Sequence, residues 1–181
     1  MKPLLIFFLL AIGISFTGCL VGHKIVYIVD VNKGGPGTAT VWYTDIRSDA
    51  LNDKDYDEDR TNLFDYMLTS DKFVQDMKAE GKSITSRELT LDKGKLNGKA
   101  VYYFNSLSAV ENLAFEDGFY YLTLALDDSV VSTNGEVIKS ANYKRILWDQ
   151  SINPLKFEIL IEPEDGTQTR SLAQFYKQEK E

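Results

Sequence analysis

Apolar and polar residues alternate along much of this chain, and the alternation predicts strands. "KIVYIVDV" (Lys24–Val31) is rich in β-branched residues, and "TATVWYTDI" (Thr38–Ile46) repeats the pattern after the Gly/Pro turn "NKGGPG". The pair predicts a hairpin. "SITSRELTLDKGKLNGKAVYYFNSL" alternates at Leu89 and Leu91 and again at Ala100, Tyr102 and Phe104. It has turn signals at Asp92–Gly94 and at Asn97-Gly98, which predict a hairpin or meander. "FYYLTLAL" (Phe119–Leu126), "VVSTNGEVIK" (Val130–Lys139) and "LKFEILIEP" (Leu155–Pro163) predict further strands.

The period changes to helical between the second and third strands. Leu63, Phe64, Met67 and Leu68 share one helical face, and Phe73, Val74 and Met77 repeat it. Ser70 stands between them as an N-cap and Gly81 as a stop. A short helical segment is expected near Leu107–Asn112, and Leu172, Phe175 and Tyr176 predict a C-terminal helix. The resulting expectation is an α+β fold: a single domain with a largely antiparallel sheet, one or two central helices and a C-terminal helix.

The N-terminus breaks this pattern. Met1-Lys2-Pro3 carries one positive charge, and Leu4 to Phe16 follows without any charged residue. As a helix that run spans about 20 Å, short of the roughly 30 Å hydrocarbon core of a bilayer. A charged start, a short apolar core and small residues after it describe a signal peptide. The run ends Phe16-Thr17-Gly18-Cys19, which resembles the lipobox of bacterial lipoproteins, with Phe16 where that family usually has Leu or Val. The resemblance implies cleavage before Cys19 and acylation of its thiol. Cys19 is the only cysteine, so it has no intramolecular disulfide partner. Two or more acyl chains give stable anchoring where one chain binds only marginally. Residues 1–18 are thus expected to be a signal peptide, residues 19–24 the acylated cysteine with a short tether, and residues 25–181 the domain. For the order strand, Gly-rich turn, strand, helices ending in "EGK" and a hairpin with "YYFNSL", residues 24–113 resemble the LppM-type lipoprotein domain. That resemblance implies an α+β domain close to the membrane and carries no active site with it.

Composition narrows the partners. There are 27 acidic against 20 basic residues, a net charge of −7. An acidic domain repels polyanions, so nucleic acid is excluded as a partner. The expected partners are the membrane, through the acyl chains, and an envelope protein or lipid. The expected location is the bacterial cell envelope, and in a Gram-negative cell Leu20 after the cysteine implies the outer membrane, facing the periplasm.

No catalytic set emerges. The one histidine, His23, lies in the expected tether; there is no Gly-x-Ser-x-Gly elbow and no His-Glu-x-x-His helix. "EGKS" (Glu80–Ser83) spells the end of a P-loop, but Asp76 stands where its first glycine belongs. Asp53, Asp55, Asp57 and Asp59 alternate like the start of an EF-hand loop. Glu58 replaces the turn glycine and Phe64 the closing glutamate, so a solvated acidic loop ahead of a helix is expected and no metal or cofactor.

The candidate contact residues are the tyrosine pairs Tyr102-Tyr103 and Tyr120-Tyr121. Adjacent residues on a strand point to opposite faces, so each pair places one ring inward and one outward. Trp42 and Trp148 are able to join either set. The function expected from these residues is non-enzymatic binding or scaffolding at the membrane surface. A carrier holding a hydrophobic ligand in an aromatic-lined groove is the alternative. A hydrolase built on two carboxylates about 5–9.5 Å apart is a third class, without a nominated pair.

Overall fold

The structure is a computed structural model that describes residues 19–32, 35–161, 163 and 166–178; the expected signal peptide lies outside them. In chain order its elements begin with β1 (Leu20–Val21), β2 (Lys24–Val31), β3 (Gly37–Thr44) and β4 (Arg47–Ser48). Helix α1 (Asp53–Thr61) follows and continues as a π-helix over Asn62–Thr69, and α2 (Asp71–Ala79) comes after Ser70. Strands β5 (Lys82–Asp92), β6 (Lys95–Phe104), β7 (Ala114–Glu116) and β8 (Phe119–Leu124) come next. The remainder is β9 (Ser129–Thr133), β10 (Glu136–Lys139), β11 (Lys144–Asp149), β12 (Leu155–Leu160), β13 (Arg170–Ser171) and α3 (Ala173–Gln178). Every strand pairing is antiparallel. Sheet predominates over helix by more than two to one, so the fold is mostly antiparallel sheet with helices added.

Three sheets form: β5-β6-β3-β2-β12-β9, β10-β11-β8-β7 and the small β1-β4-β13. Directly paired residues share a face, and the register puts Tyr27, Val29, Ala39, Val41, Tyr43, Leu96, Tyr102 and Phe104 on one face of the six-stranded sheet. Both hydrophobic cores rest on that face. The first joins Tyr27, Val29, Ala39, Tyr102, Phe104 and Phe157 to Leu122, Ile146 and Trp148 of the four-stranded sheet. Rings bridge the layers: Tyr27 stacks on Phe157 at 4.8 Å, and Phe157 meets Trp148 at 5.8 Å. Each such ring pair contributes about 0.5–1.5 kcal/mol beyond its buried area. The second core joins Tyr43, Leu89, Leu91 and Leu96 to Tyr56, Leu63 and Phe64 of the helices and to Leu172 and Ala173 near the C-terminus. The opposite face, with Val26, Ile28, Trp42, Val101 and Tyr103, contributes to neither core.

The helices form where the sequence places their caps. Asn52 caps α1 by accepting from the Asp55 amide at 3.0 Å, and Ser70 caps α2 by accepting from Lys72 at 3.0 Å. Gly81, at φ 83°, ends α2. The Arg87 guanidinium reaches from β5 to the carbonyls of Met67 and Ser70 at 2.8 and 3.1 Å, satisfying acceptors at the end of the π-helix.

Four expectations need correction. The acidic run Asp53–Asp59 is helical, because Asn52 caps it and Asp55, Tyr56 and Asp59 bury one side. Asn97-Gly98 is no turn: it lies inside β6, where the Asn97 side chain accepts from the Asp45 amide at 3.0 Å. A Cβ on Gly98 would come within 3.1 Å of Ile46. The hairpin turns at Lys93 and Gly94, both at positive φ. "VVSTNGEVIK" is two strands in different sheets, and β11 is a strand that periodicity left unassigned.

At the crossing from β9 to β10 the Thr133 hydroxyl accepts from the Gly135 amide and donates to the Lys156 carbonyl, and the Asn134 side chain ties the crossing to β11 and β12. Asn134 Oδ1 accepts from the Trp148 indole at 2.9 Å and from the Lys156 amide at 2.8 Å, and its Nδ2 donates to the Pro154 carbonyl at 2.9 Å. Gly135 follows because a Cβ there would stand 2.5 Å from the Leu147 carbonyl oxygen. Asn134→Ala strands the N–H of the fully buried Trp148 and is expected to cost about 1–3 kcal/mol, lowering Tm by several degrees. Thermal unfolding followed by tryptophan fluorescence measures it, and an unchanged Tm would remove the clamp from the account.

Candidate functional site

Cys19 is not at the far end of a leash. Its backbone N–H donates to Asp49 Oδ1 at 2.7 Å, and the Asp49 amide donates to the Cys19 carbonyl at 3.2 Å. Leu20 and Val21 pair with Ser48 and Arg47, and the Leu20 side chain packs on the second core. Gly22 is buried beside Tyr43, the His23 amide donates to the Thr44 carbonyl at 2.9 Å, and Lys24 opens β2. The expected tether of residues 19–24 is therefore part of the folded domain, since its apolar side chains and backbone groups all find places there.

The thiol of Cys19 is exposed, and partial burial together with the nearby carboxylates of Asp49 and Asp59 pushes its pKa up. A thiol held protonated is a poor nucleophile and a poor metal ligand. Leu51, two residues beyond Asp49, is an apolar side chain that is 83% exposed. Beneath lies a small buried polar group in which Ser48 donates to Asp59 at 2.6 Å and accepts from the Ala50 amide at 3.1 Å. Asp55 and Asp59 face inward from α1 while Asp53 and Asp57 face solvent, so the four carboxylates cannot wrap one ion. Among the described residues no group of three or more His, Cys, Asp or Glu side chains is placed to hold a metal.

The four candidate tyrosines occupy four environments. Each pair does split inward and outward. Tyr102 is buried in the first core, where burial and the charge of Glu111 raise its phenol pKa, and Tyr120 packs on that same core from the other sheet. Tyr103 looks out from the uncovered face of the six-stranded sheet, and Tyr121 from the outer face of the four-stranded sheet. They do not line a common groove. Trp148 is core and Trp42 lies on the uncovered face with Lys99 over its ring at 5.8 Å.

Two arrangements escape a reading by motif. Tyr27 donates to Glu111 at 2.5 Å, and Glu111 and Asn112 both hold positive φ between the buried Val110 and Leu113. Burial first, then the Glu111 charge, raises the Tyr27 phenol well above its usual range. The second arrangement is on the outer face of the four-stranded sheet. There the Arg145 guanidinium carbon lies 4.7 Å from the Tyr121 ring centre and 4.5 Å from that of Tyr143. The only signal for it in sequence is the spacing Tyr143, Arg145, Leu147 on one side of a strand.

No family model, curated protein or solved structure matches the chain. The resemblance of residues 24–113 to the LppM type is carried by pattern alone. Among the described residues no helix is long and apolar enough to cross a membrane.

Burial and the neighbouring Asp49, Asp55 and Glu58 raise the Asp59 pKa against the opposing Ser48 hydrogen bond. The folded state then holds that proton to higher pH than the unfolded chain, so stability falls as pH rises through the carboxylate range. Asp59→Asn keeps an acceptor for Ser48 and removes the charge. The variant is expected to melt above the parent at neutral pH, with the gap closing below the ordinary aspartate pKa of about 3.9. A Tm difference independent of pH in thermal scans would show that Asp59 is not strained by its charge.

Proposed function

We propose that the chain is a bacterial envelope lipoprotein, acylated on Cys19, whose α+β domain has a non-enzymatic binding or scaffolding role at the membrane surface. The observation that carries the reading is Cys19 itself: an exposed thiol, preceded by a signal-peptide-like run and Thr17-Gly18, on backbone pinned at both its N–H and C=O to Asp49. Acyl chains attached there leave the domain at its surface with no slack. Exposed Leu51, two residues beyond Asp49, is suited to the apolar edge of a head-group layer. In a Gram-negative cell the proposed location is the periplasmic side of the outer membrane. The aromatic-lined carrier is the weaker reading, because Tyr102, Tyr103, Tyr120 and Tyr121 share no groove.

Metabolic labelling with a palmitate analogue and fractionation of the expressing cells test the reading. The parent is expected to carry label and to sediment with membranes, whereas Cys19→Ser loses the label and leaves the membrane fraction. A Cys19→Ser protein still labelled, or still held in the membrane fraction at the parent level, would overturn it.

A further inference from the structure

The open face of the four-stranded sheet carries a cation that the protein does not neutralise. The register places Ala114 and Glu116 of β7, Glu136 and Ile138 of β10, Arg145, Leu147 and Asp149 of β11, and Phe119, Tyr121 and Thr123 of β8 on this outer face. Tyr143 precedes Arg145 by two residues on one side, and Tyr121 lies one step beyond it on the other, opposite Leu147. The guanidinium thus lies between two rings, at 4.5 and 4.7 Å, and its Nε donates to Thr123 Oγ1 at 3.0 Å. Three contacts fix the plane of the fork. Among the described residues Arg145 has no carboxylate within ion-pair distance, and its two terminal nitrogens donate to no protein group. This is unusual in a chain with a net charge of −7, where acids outnumber bases. Around the fork the surface is apolar and accessible: Phe119 is 43% exposed, Ile138 38% and Tyr143 37%.

We propose that this face is a binding site for a carboxylate borne on an apolar or aromatic body, with Arg145 as the anion-binding group. A guanidinium edge offers two parallel N–H donors whose spacing matches the two oxygens of a carboxylate. The flanking rings hold the guanidinium by its faces, so the rotamer entropy that an arginine ordinarily loses on binding is already spent. The charge count selects among anions. The face already carries Glu116, Glu136 and Asp149 besides its one arginine, so Arg145 suits a single negative charge, whereas a dianionic phosphate would bring its second charge onto these carboxylates. Phe119, Ile138 and Leu147 then cover the ligand's apolar body, and Thr123, held by the Arg145 Nε, faces the partner's rim. The site is independent of acylation at Cys19, which belongs to the other end of the six-stranded sheet, where Leu20 packs on the second core.

The test is an NMR titration of the full-length protein in nonionic detergent with N-acetylphenylalanine, its neutral amide and inorganic phosphate in parallel. The acid is expected to shift Tyr121 and Arg145 signals saturably with a Kd of about 1 mM, and the amide to bind at least about tenfold more weakly. Arg145→Lys keeps the charge, loses the fork and is expected to weaken the acid about tenfold. Tyr103→Phe, altered on the opposite side of the molecule, leaves it unchanged. Equal binding of acid and amide, full affinity in Arg145→Lys, no saturable shift, or preference for phosphate would each overturn the assignment.

Discussion

Strand length decides how this molecule is covered. β5 and β6 run 11 and 10 residues, whereas β8 and β11 of the opposing sheet run 6 each. At about 3.3 Å per residue, that is roughly 36 Å against about 20 Å. One small sheet cannot cover a face that long, and the apolar positions Leu89, Leu91, Leu96 and Tyr43 continue beyond its reach. The helices and the C-terminal segment close the remainder. Two cores of different character follow from one continuous face: an aromatic one between sheets and an aliphatic-rich one under helices. The same arrangement leaves the reverse face of the six-stranded sheet bare, with Val26, Ile28 and Trp42 only partly covered by their own neighbours.

Much of this architecture is legible in the sequence, because period-2 and period-3.6 patterns report burial on one side directly. Lys24–Val31, the β5–β6 hairpin, the Ser70 cap and the Gly81 stop are all local signals, and all appear where the pattern predicts. The failures share a cause as well. Asn97-Gly98 and Asn134-Gly135 are the same dipeptide, and neither makes a hairpin turn. One sits in a strand because Ile46 needs the space above Gly98. The other carries the chain between sheets because Trp148 needs a hydrogen-bond acceptor. What fixes each is a residue far away in the chain, which no local window contains. The acidic helix is similar, since Asp59 points inward to accept from Ser48, 11 residues away, while Asp55 accepts from the capping Asn52. β11 does carry a local signal, as Arg145, Leu147 and Asp149 alternate with the buried Ile146 and Trp148.

The candidate sites divide by the same logic. Cys19 is legible because its context is local: a run, two small residues and a thiol. Its immediate support is not, since Asp49 lies 30 residues away and joins it only through the pairing of β1 with β4. The tyrosines were chosen by type, and type alone does not place a ring. Alternation correctly separates Tyr102 from Tyr103 and Tyr120 from Tyr121, yet it says nothing about which sheet each belongs to. The ring that acquires a functional neighbour, Tyr121, does so through Arg145 on a strand outside the predicted set.

Cys19 and the open aromatic face sit on different parts of one scaffold, and carboxylates lie near both. Burial first, then the charges of Asp49 and Asp59, raises the Cys19 thiol pKa, and burial together with Asp49, Asp55 and Glu58 raises that of Asp59. An anionic lipid surface repels such a region, so the proposed attachment there would depend on covalent acyl chains rather than on charge. The four-stranded sheet presents one guanidinium ordered between two rings, with no ion-pair partner among the described residues, on a face that also bears Glu116, Glu136 and Asp149. Under the proposed acylation, a domain tied down at Cys19 gains nothing from a second membrane contact at the four-stranded sheet, whose aromatic face is better used on a molecule arriving from the aqueous side. With Leu20–Val21 locked into the fold, that face has a fixed relation to Cys19, so on the proposed reading what binds it would be held in a defined direction from the membrane instead of sweeping a volume on a tether.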